Sequence, residues 1–416
     1  MAATDRWYPT VRLAMALAEA GCSVEAVCPS NHPVNNTRAV RRTHNYNGLV
    51  PLLSFGRAID TTNPDIVIPS DDLATQHLHD LYSRERDRGN SGSRVCRLIE
   101  RSLGTAESFE VVYARTAFMQ LAEEEGVRVP ETKVVTNKSD LLDWITRMGF
   151  PIVLKADGTS GGDGVKVVNT VDEAERAFRK LQAPPLLARA VKRALLDQDL
   201  TLLGPSLFRR GFVVNAQAFV AGNETTSTIA CWNGTVLASL HFEVLEKVSS
   251  TGHATAVRLI EHPEMSAAAE KIARRLKLSG MYGLDFMLES QTGNSYLIEI
   301  NPRTTQVGHL ALGLGRDLPA ALYAAITGES LQPAPKVTEN DTIALFPQEW
   351  KRDPASPLLS SGYHDVPWGE PALVNACVGT LQNQGAQTSR RAVPPQFHTA
   401  PSSLSGALFK VRTGEK

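Results

Sequence analysis

Residues 282–303 read YGLDFMLESQTGNSYLIEINPR, two apolar runs joined by a polar, glycine-containing turn, which predicts a β-hairpin. With the hairpin symmetric about Thr292, Asp285 faces Glu299 and Leu288 faces Tyr296. The two carboxylates then stand roughly 5 Å apart at Cβ. Like charges so placed repel unless a cation sits between the oxygens. Hard carboxylate and amide oxygens suit Mg²⁺, with Mn²⁺ as the alternative, better than softer metals. Asn301 supplies a third oxygen. Alternation along the strand puts Glu299, Asn301 and Arg303 on one face and sends Ile298 and Ile300 into the core. Arginine cannot ligate a metal, but its planar fork steadies a carboxylate or phosphoryl group held beside one. The hairpin is thus read as a site for a metal-bound phosphate; the competing reading is a solvated hairpin whose acids reach water separately.

A second group of residues points to the same chemistry. Residues 152–156 read as a strand carrying Lys155, residues 158–164 (GTSGGDG) place Gly158, Gly161, Gly162 and Gly164 in a turn, and residues 165–168 read as the returning strand. Glycines let backbone N–H groups approach an anion without Cβ obstruction, and a lysine at the strand end adds charge. The loop lacks the GK[ST] of a Walker A motif, and the strand after it excludes a dinucleotide fingerprint. An ordinary tight turn also recruits glycine, and Asp163 opposes an anion unless it points to water or helps position a metal.

The elements that must hold these residues read as α/β. At 416 residues the chain exceeds one ordinary core, so two or three packed units are expected. Residues 10–20 have helical spacing, Gly21 ends the helix, and residues 23–28 and 64–70 read as buried strands, the second leading to Asp71 and Asp72 at a helix start. This predicts a Rossmann-like first domain over residues 1–108. Too little chain precedes the first helix for the strand that should open it, so the strand either lies upstream or is absent. The arginine-rich stretch 83–102 is interrupted by acids and reads as a solvated helix and loop. A helix begins at Arg115 with Phe118, Leu121 and Ala122 inward, stopped by Gly126, and a strand follows over 127–135. Alternating elements continue to about 330. Residues 331–416 read as an extension, poorly ordered beyond about 379.

Composition bounds the remaining classes. A formal charge of −1 gives no global field for nucleic acid or an anionic membrane. Five cysteines without CxxC spacing argue against a disulfide framework and for a cytoplasmic setting, and no apolar run is long enough to cross a bilayer. His77 and His79, two apart on a helix, do not present both rings to one zinc ion. Monomer and homo-oligomer both stay open.

In order along the chain, Arg115 before a helix, Lys155 with its glycine loop, then Asp285, Glu299, Asn301 and Arg303 resemble the ATP-grasp superfamily, in its carbamoyl-phosphate synthase and biotin-carboxylase-like branch of carboxylate–amine ligases. The resemblance covers about residues 10–330 and is most specific at residues 297–303 (LIEINPR). It implies a Rossmann-like pre-ATP-grasp domain (1–108), then a two-lobed ATP-grasp domain (109–330) with a lid lobe over about 132–218. It implies ATP and Mg²⁺, with Lys155 and Arg115 on the phosphates under the loop of Gly158, Gly161, Gly162 and Gly164; the family usually has lysine where Arg115 stands. Residues 212–222 (FVVNAQAFVAG) resemble the hinge that reads adenine, placing Gln217, Phe219 and Val220 at the base and Glu224 at the ribose. Family members carry glutamate at the position of Ala218, and an ordinary core strand would also account for Phe219 and Val220. By the same resemblance Asp285, Glu299 and Asn301 ligate the metal, while Lys155 and Arg303 are catalytic. The implied reaction phosphorylates a small carboxylate and passes the acyl group to an amine. His253, in the polar stretch 248–257, and His309 read as solvated loop histidines, with contact to a substrate carboxylate as the alternative. A non-catalytic ATP-binding or scaffold protein that retains the pocket is the alternative. A biotin-dependent carboxylase subunit is less favoured, because no biotinylation segment is present.

Overall fold

The computed structural model describes residues 1–157, 164–184, 187, 207, 211–330 and 335–385. Gly158, Gly161 and Gly162 lie outside the described residues, as does the tail beyond 385.

Helix α1 (Pro9–Glu19) starts on a proline, whose missing N–H costs nothing in a first turn, and buries Val11, Leu13, Ala14 and Leu17. Gly21, at φ 106°, reverses the chain into β1 (Val24–Cys28), which pairs in parallel with β2 (Val40–Asn45). An isolated bridge stands where the sequence reading misses a strand. Ala2 bridges Val27 on one side and Pro69 on the other, both in parallel, through Ala2 N–H to the Ile68 carbonyl and Ala3 N–H to the Val27 carbonyl, each 2.9 Å. After α2 (Pro51–Thr62), residues 67–70 extend the parallel layer, and the Asp71 side chain caps α3 (Asp72–Asp87) by accepting from the Ala74 N–H. In the arginine-rich stretch, α4 (Arg94–Leu103) is amphipathic: Cys96, Leu98, Ile99 and Leu103 are buried, and Arg94, Arg97 and Arg101 face water.

Helix α5 (Arg115–Glu124) leads to a four-stranded antiparallel sheet. Its elements are β3 (Thr132–Val135), α6 (Lys138–Met148), β4 (Ile152–Ala156), β5 (Val165–Val168), α7 (Val171–Gln182) and β6 (Val214–Ala218), with strand order β3-β6-β4-β5. Leu141, Trp144, Phe178 and Leu181 from the two helices pack on Ile152, Leu154, Val214 and Ala216. Period-two alternation leaves Lys155 and its pairing partner Asn215 on the opposite face.

The larger sheet has seven strands: β7 (Gly222–Trp232), β8 (Thr235–Lys247), β9 (Ala254–Ile260), then, after α8 (Pro263–Leu276), β10 (Gly280–Glu289) and β11 (Ser295–Asn301), and, after α9 (Leu318–Thr327), β12 (Thr342–Ala344) and β13 (Tyr363–His364). Their order is β11-β10-β7-β8-β9-β12-β13. One face packs on α5 and α8, and the other on α1 and α9. The segment read as an extension lends β12 and β13 to this sheet, and helix α10, which follows β13 (Pro371–Gly385), runs past residue 379. Its Leu373 and Val374 pack with Val34 of the first unit. No helix among the described residues is long and apolar enough to cross a membrane.

Candidate active site

The hairpin forms and Asp285 pairs with Glu299, as the spacing predicts. The rest of the expected register is corrected. Between Asp285 and Phe286 the pairing slips by one, so that Leu288 faces Ser295 rather than Tyr296, and Tyr296 faces Met287. Ile298 is the extra residue of a β-bulge. A bulge exchanges the two faces of the strand beyond it, which is why Leu297 and Ile300, three positions apart, are both core residues while Ile298 is half-buried. Asn301 pairs with Gly283, and the missing side chain matters: a Cβ there would lie 3.2 Å from Asn301 Cβ and 2.5 Å from Thr305 Cγ2.

Asp285 is held from two sides, accepting from Thr226 Oγ1 and from Asn301 Nδ2, each at 2.8 Å. Burial first, and then the charge of Glu299, push its carboxyl up to about 6. That is the signature of paired acids for which a cation would relieve both desolvation and repulsion. Among the described residues no three His, Cys, Asp or Glu converge on a common point. A metal here would therefore rely on two carboxylates and an amide, an all-oxygen donor set that fits Mg²⁺.

The cations come from other elements. Arg115, at the start of α5, donates through one terminal nitrogen to Glu299 Oε1 at 2.9 Å, and its Nε lies 3.9 Å from Asp157 Oδ1. Among the described residues its Nε and other terminal nitrogen have no hydrogen-bond partner, two buried donors for which an anion would supply acceptors. Lys155 is 4% exposed, and burial, then Arg115, hold its ammonium down at about 8 against the upward pull of Glu299, Asp285 and Glu224. Asp157 accepts from Asn215 Nδ2 at 2.8 Å, and Asn215 Oδ1 accepts from Thr116 Oγ1 at 2.6 Å, which ties the smaller sheet to α5. Arg303 is fixed by the first unit: its Nε lies 3.2 Å from Asp72 Oδ1, its guanidinium stacks 5.4 Å from the Trp7 ring centre, and a terminal nitrogen reaches Asn301 Oδ1 at 3.3 Å.

Arg115, Lys155, Asp285, Glu299, Asn301 and Arg303 thus form one connected cluster, through the Arg115–Glu299, Asn301–Asp285 and Arg303–Asn301 bonds and the charges acting on Lys155, and Gly164, just before β5, accepts at its carbonyl from the Ala156 N–H. At the hinge, Gln217 is buried and donates to Thr132 Oγ1 at 3.0 Å, Phe219 is 40% exposed and Val220 half-buried, so neither of the latter two is an ordinary core residue. Glu224 pairs with Lys247 at 2.6 Å. His253 lies exposed in the β8–β9 loop, whereas His309 is buried and bonds Asp365 Oδ2 at 2.7 Å, away from the carboxylate pair. His77 bonds the Tyr46 hydroxyl, and His79 stacks on Phe109. Trp7, Asp157, Asn215 and Thr226 escape the sequence reading as site residues, and Asp72 is read there only as a helix start. Only Asp157, two residues after Lys155 and next to the glycine run, carried a positional signal.

Comparison with known proteins falls on the same residues. Residues 114–231 match the phosphoribosylglycinamide synthetase ATP-grasp (A) domain, and residues 205–307 match an ATP-grasp domain. The arginine-specific large chain of carbamoyl phosphate synthase from Halalkalibacterium halodurans is 26% identical over 248 residues, 59% of this chain and 22% of that protein. The carbamoyl phosphate synthase large chain of Thermotoga maritima is 23% identical over 296 residues, 70% of this chain and 25% of that protein. The chain spans about a quarter of the length of these relatives. Among solved structures, N5-carboxyaminoimidazole synthase from Aspergillus clavatus with ADP and 5-aminoimidazole ribonucleotide aligns at a TM-score of 0.57 and 14% identity, covering 80% of this chain and 77% of that one. Biotin carboxylase from Campylobacter jejuni aligns at 0.55 and 13%, covering 80% and 71%. At these identities the likeness is one of fold.

Proposed function

We propose, for a chain that belongs to the ATP-grasp superfamily, an ATP-dependent ligase that activates a small carboxylate as an acyl phosphate and joins it to an amine. A carboxylate oxygen attacks the γ-phosphorus of ATP, the bond to the β–γ bridging oxygen breaks, and ADP leaves. The amine nitrogen then attacks the acyl carbon, expels phosphate and loses a proton. Phosphoryl transfer asks little covalent help of a protein, so positioning and charge neutralisation dominate.

Lys155 and Arg115 would bind the non-transferred phosphates, and the two Arg115 donors that lack a partner among the described residues suit that role. Asp285, Glu299 and Asn301 would hold Mg²⁺, which when bound offsets charge on the phosphates. Arg303, kept in place by Asp72 and Trp7, would steady the phosphorylated carboxylate. Gln217, Phe219, Val220 and Glu224 would flank the nucleoside, and Gly164 with the glycines before it would cover the phosphates. The domain reading is proposed with it: residues 1–108, 109–330 with a lid over about 132–218, and 331–416.

One observation carries this reading: the paired acids Asp285 and Glu299 stand beside two cations, Arg115 and Lys155, supplied by separate elements. A second reading, a nucleotide binder without turnover, draws on the bond between Arg115 and Glu299, which occupies one oxygen of a metal-ligand candidate. ADP release from Mg-ATP in the presence of pooled carboxylates and amines separates the two. The ligase releases ADP in a substrate-dependent way, and Glu299→Gln lowers that by at least about a hundredfold with the fold intact. Tight ATP binding with no ADP under any pool favours the binder.

A further inference from the structure

Arg115 does more in this cluster than its place in the sequence implies. It reaches across from α5 to the edge strand β11 and shares the charge of Glu299, one of the paired acids, through a 2.9 Å bond. Its side chain is almost wholly enclosed, with 10% of its surface exposed, whereas Glu299 is 35% exposed, so water screens the bond in part. On the other side its Nε faces Asp157, which Asn215 and Thr116 hold in place. The guanidinium therefore stands between an acid of the smaller sheet and an acid of the larger one. A lysine in its place would offer a point charge and could not span both.

From this geometry we infer that Arg115 is a positioning residue that sets the order in which the site fills: it competes with a divalent cation for Glu299, and a nucleotide's phosphates, by drawing the guanidinium onto themselves, release that carboxylate for the metal. The inference deepens the proposed reading, because it concerns the same cluster. A carboxylate that shares its charge with a buried guanidinium is a weaker ligand than a free one, and the positive charge beside it repels an incoming dication. The two nitrogens of Arg115 that have no hydrogen-bond partner among the described residues are donors that phosphate oxygens could accept from. Metal alone should then bind weakly, metal with nucleotide strongly, and the coupling should reside in this one side chain.

The test needs neither turnover nor a known substrate. Mn²⁺ is titrated into the full chain without nucleotide and followed by the electron paramagnetic resonance of the free ion, then again with saturating ADP, the Mn²⁺ chelated by the same ADP without protein being subtracted. In the wild type, ADP tightens Mn²⁺ binding by about tenfold or more. Arg115→Ala binds Mn²⁺ without nucleotide about tenfold more tightly than the wild type and loses most of the response to ADP. Arg115→Lys falls between them and serves as the variant of record if the alanine substitution unfolds the protein. In the double variant Arg115→Ala/Glu299→Gln the gained affinity disappears. Equal nucleotide-free Mn²⁺ affinity in the wild type and both single variants overturns the inference, as does a gain that survives in the double variant. Because this titration is read without ADP release, its failure is distinct from failure of the ligase reading.

Discussion

Asp285 shows how a site can be costly to the chain that carries it. It is half-buried and faces Glu299, and burial, then the charge of Glu299, hold its carboxyl up at about 6, so at neutral pH the protein keeps an anion where its surroundings oppose one. An amide in its place can still meet Thr226 and Asn301 while shedding the repulsion. Asp285→Asn is therefore expected to raise the melting temperature by a few degrees without ligand and to abolish the further rise given by Mg-ADP, both read in one thermal-shift series. A variant that melts lower, or that keeps the Mg-ADP shift, would remove Asp285 from the metal set. At this scale the sequence was informative where chemistry and spacing coincided. Asp285, Glu299, Asn301 and Arg303 lie within one hairpin and its exit, and a period of two is enough to align them. Asp72, Trp7 and Asn215 reach the cluster from elements remote in sequence, and no local pattern links them to it.

The hairpin illustrates what an element adds to its residues. In the apolar run of residues 297–300, a strict alternation groups Ile298 with Ile300, but the chain instead buries Leu297 and Ile300 and bulges at Ile298. Three apolar residues in four positions give no period by which to detect the slip, so this part of the register was not legible. The bulge brings Asn301 opposite Gly283, where only a glycine leaves room. Gly283→Ala should push against Thr305 Cγ2 and Asn301, destabilising the fold by roughly 1–3 kcal/mol and raising the Mg²⁺ concentration needed for half-maximal ADP release. Denaturant unfolding and a Mg²⁺ titration of turnover check the two effects, and an unchanged Mg²⁺ requirement would mean that Asn301 does not take part. The bridge at Ala2 and the two- and three-residue strands β13 and β12 were missed for a related reason: so short a pairing carries no alternation, and only its remote partners define it.

At the scale of the whole molecule the first unit, the larger sheet and the C-terminal segment are one packed body, joined where Asp365 binds both Arg12 of α1 and His309 of the loop after β11. Burial pushes the Asp365 carboxyl up, but Arg12 and His309 more than offset it and hold it at about 2. Its contribution is complete above 3.8, the ordinary value, and is lost only as the pH falls towards 2. Milder acid acts through histidines buried in different parts of the body. His32 lies between β1 and β2, His79 stacks on Phe109 in the first unit, and His241 bridges Ser227 and Ser266 under α8. Burial is the first cause that holds each at about 4, against 6.5 for an ordinary histidine. The folded protein therefore binds fewer protons than the unfolded chain in this window. The stability these residues confer is complete above 6.5 and is lost as the pH falls towards 4. Each adds a slope of at most about 1.4 kcal/mol per pH unit. Asp285 acts in the opposite sense between 3.8 and about 6, because its folded carboxyl holds a proton that the unfolded one gives up, and it offsets roughly one histidine. Denaturant unfolding between pH 7.5 and 4.5 should thus show stability falling steadily below 6.5. The fall should be shallower in His79→Phe, which keeps the stacking on Phe109 but cannot take up a proton, and steeper in Asp285→Asn. A stability that is flat across that range, or one that rises on acidification, would show that these histidines are not held neutral by the fold.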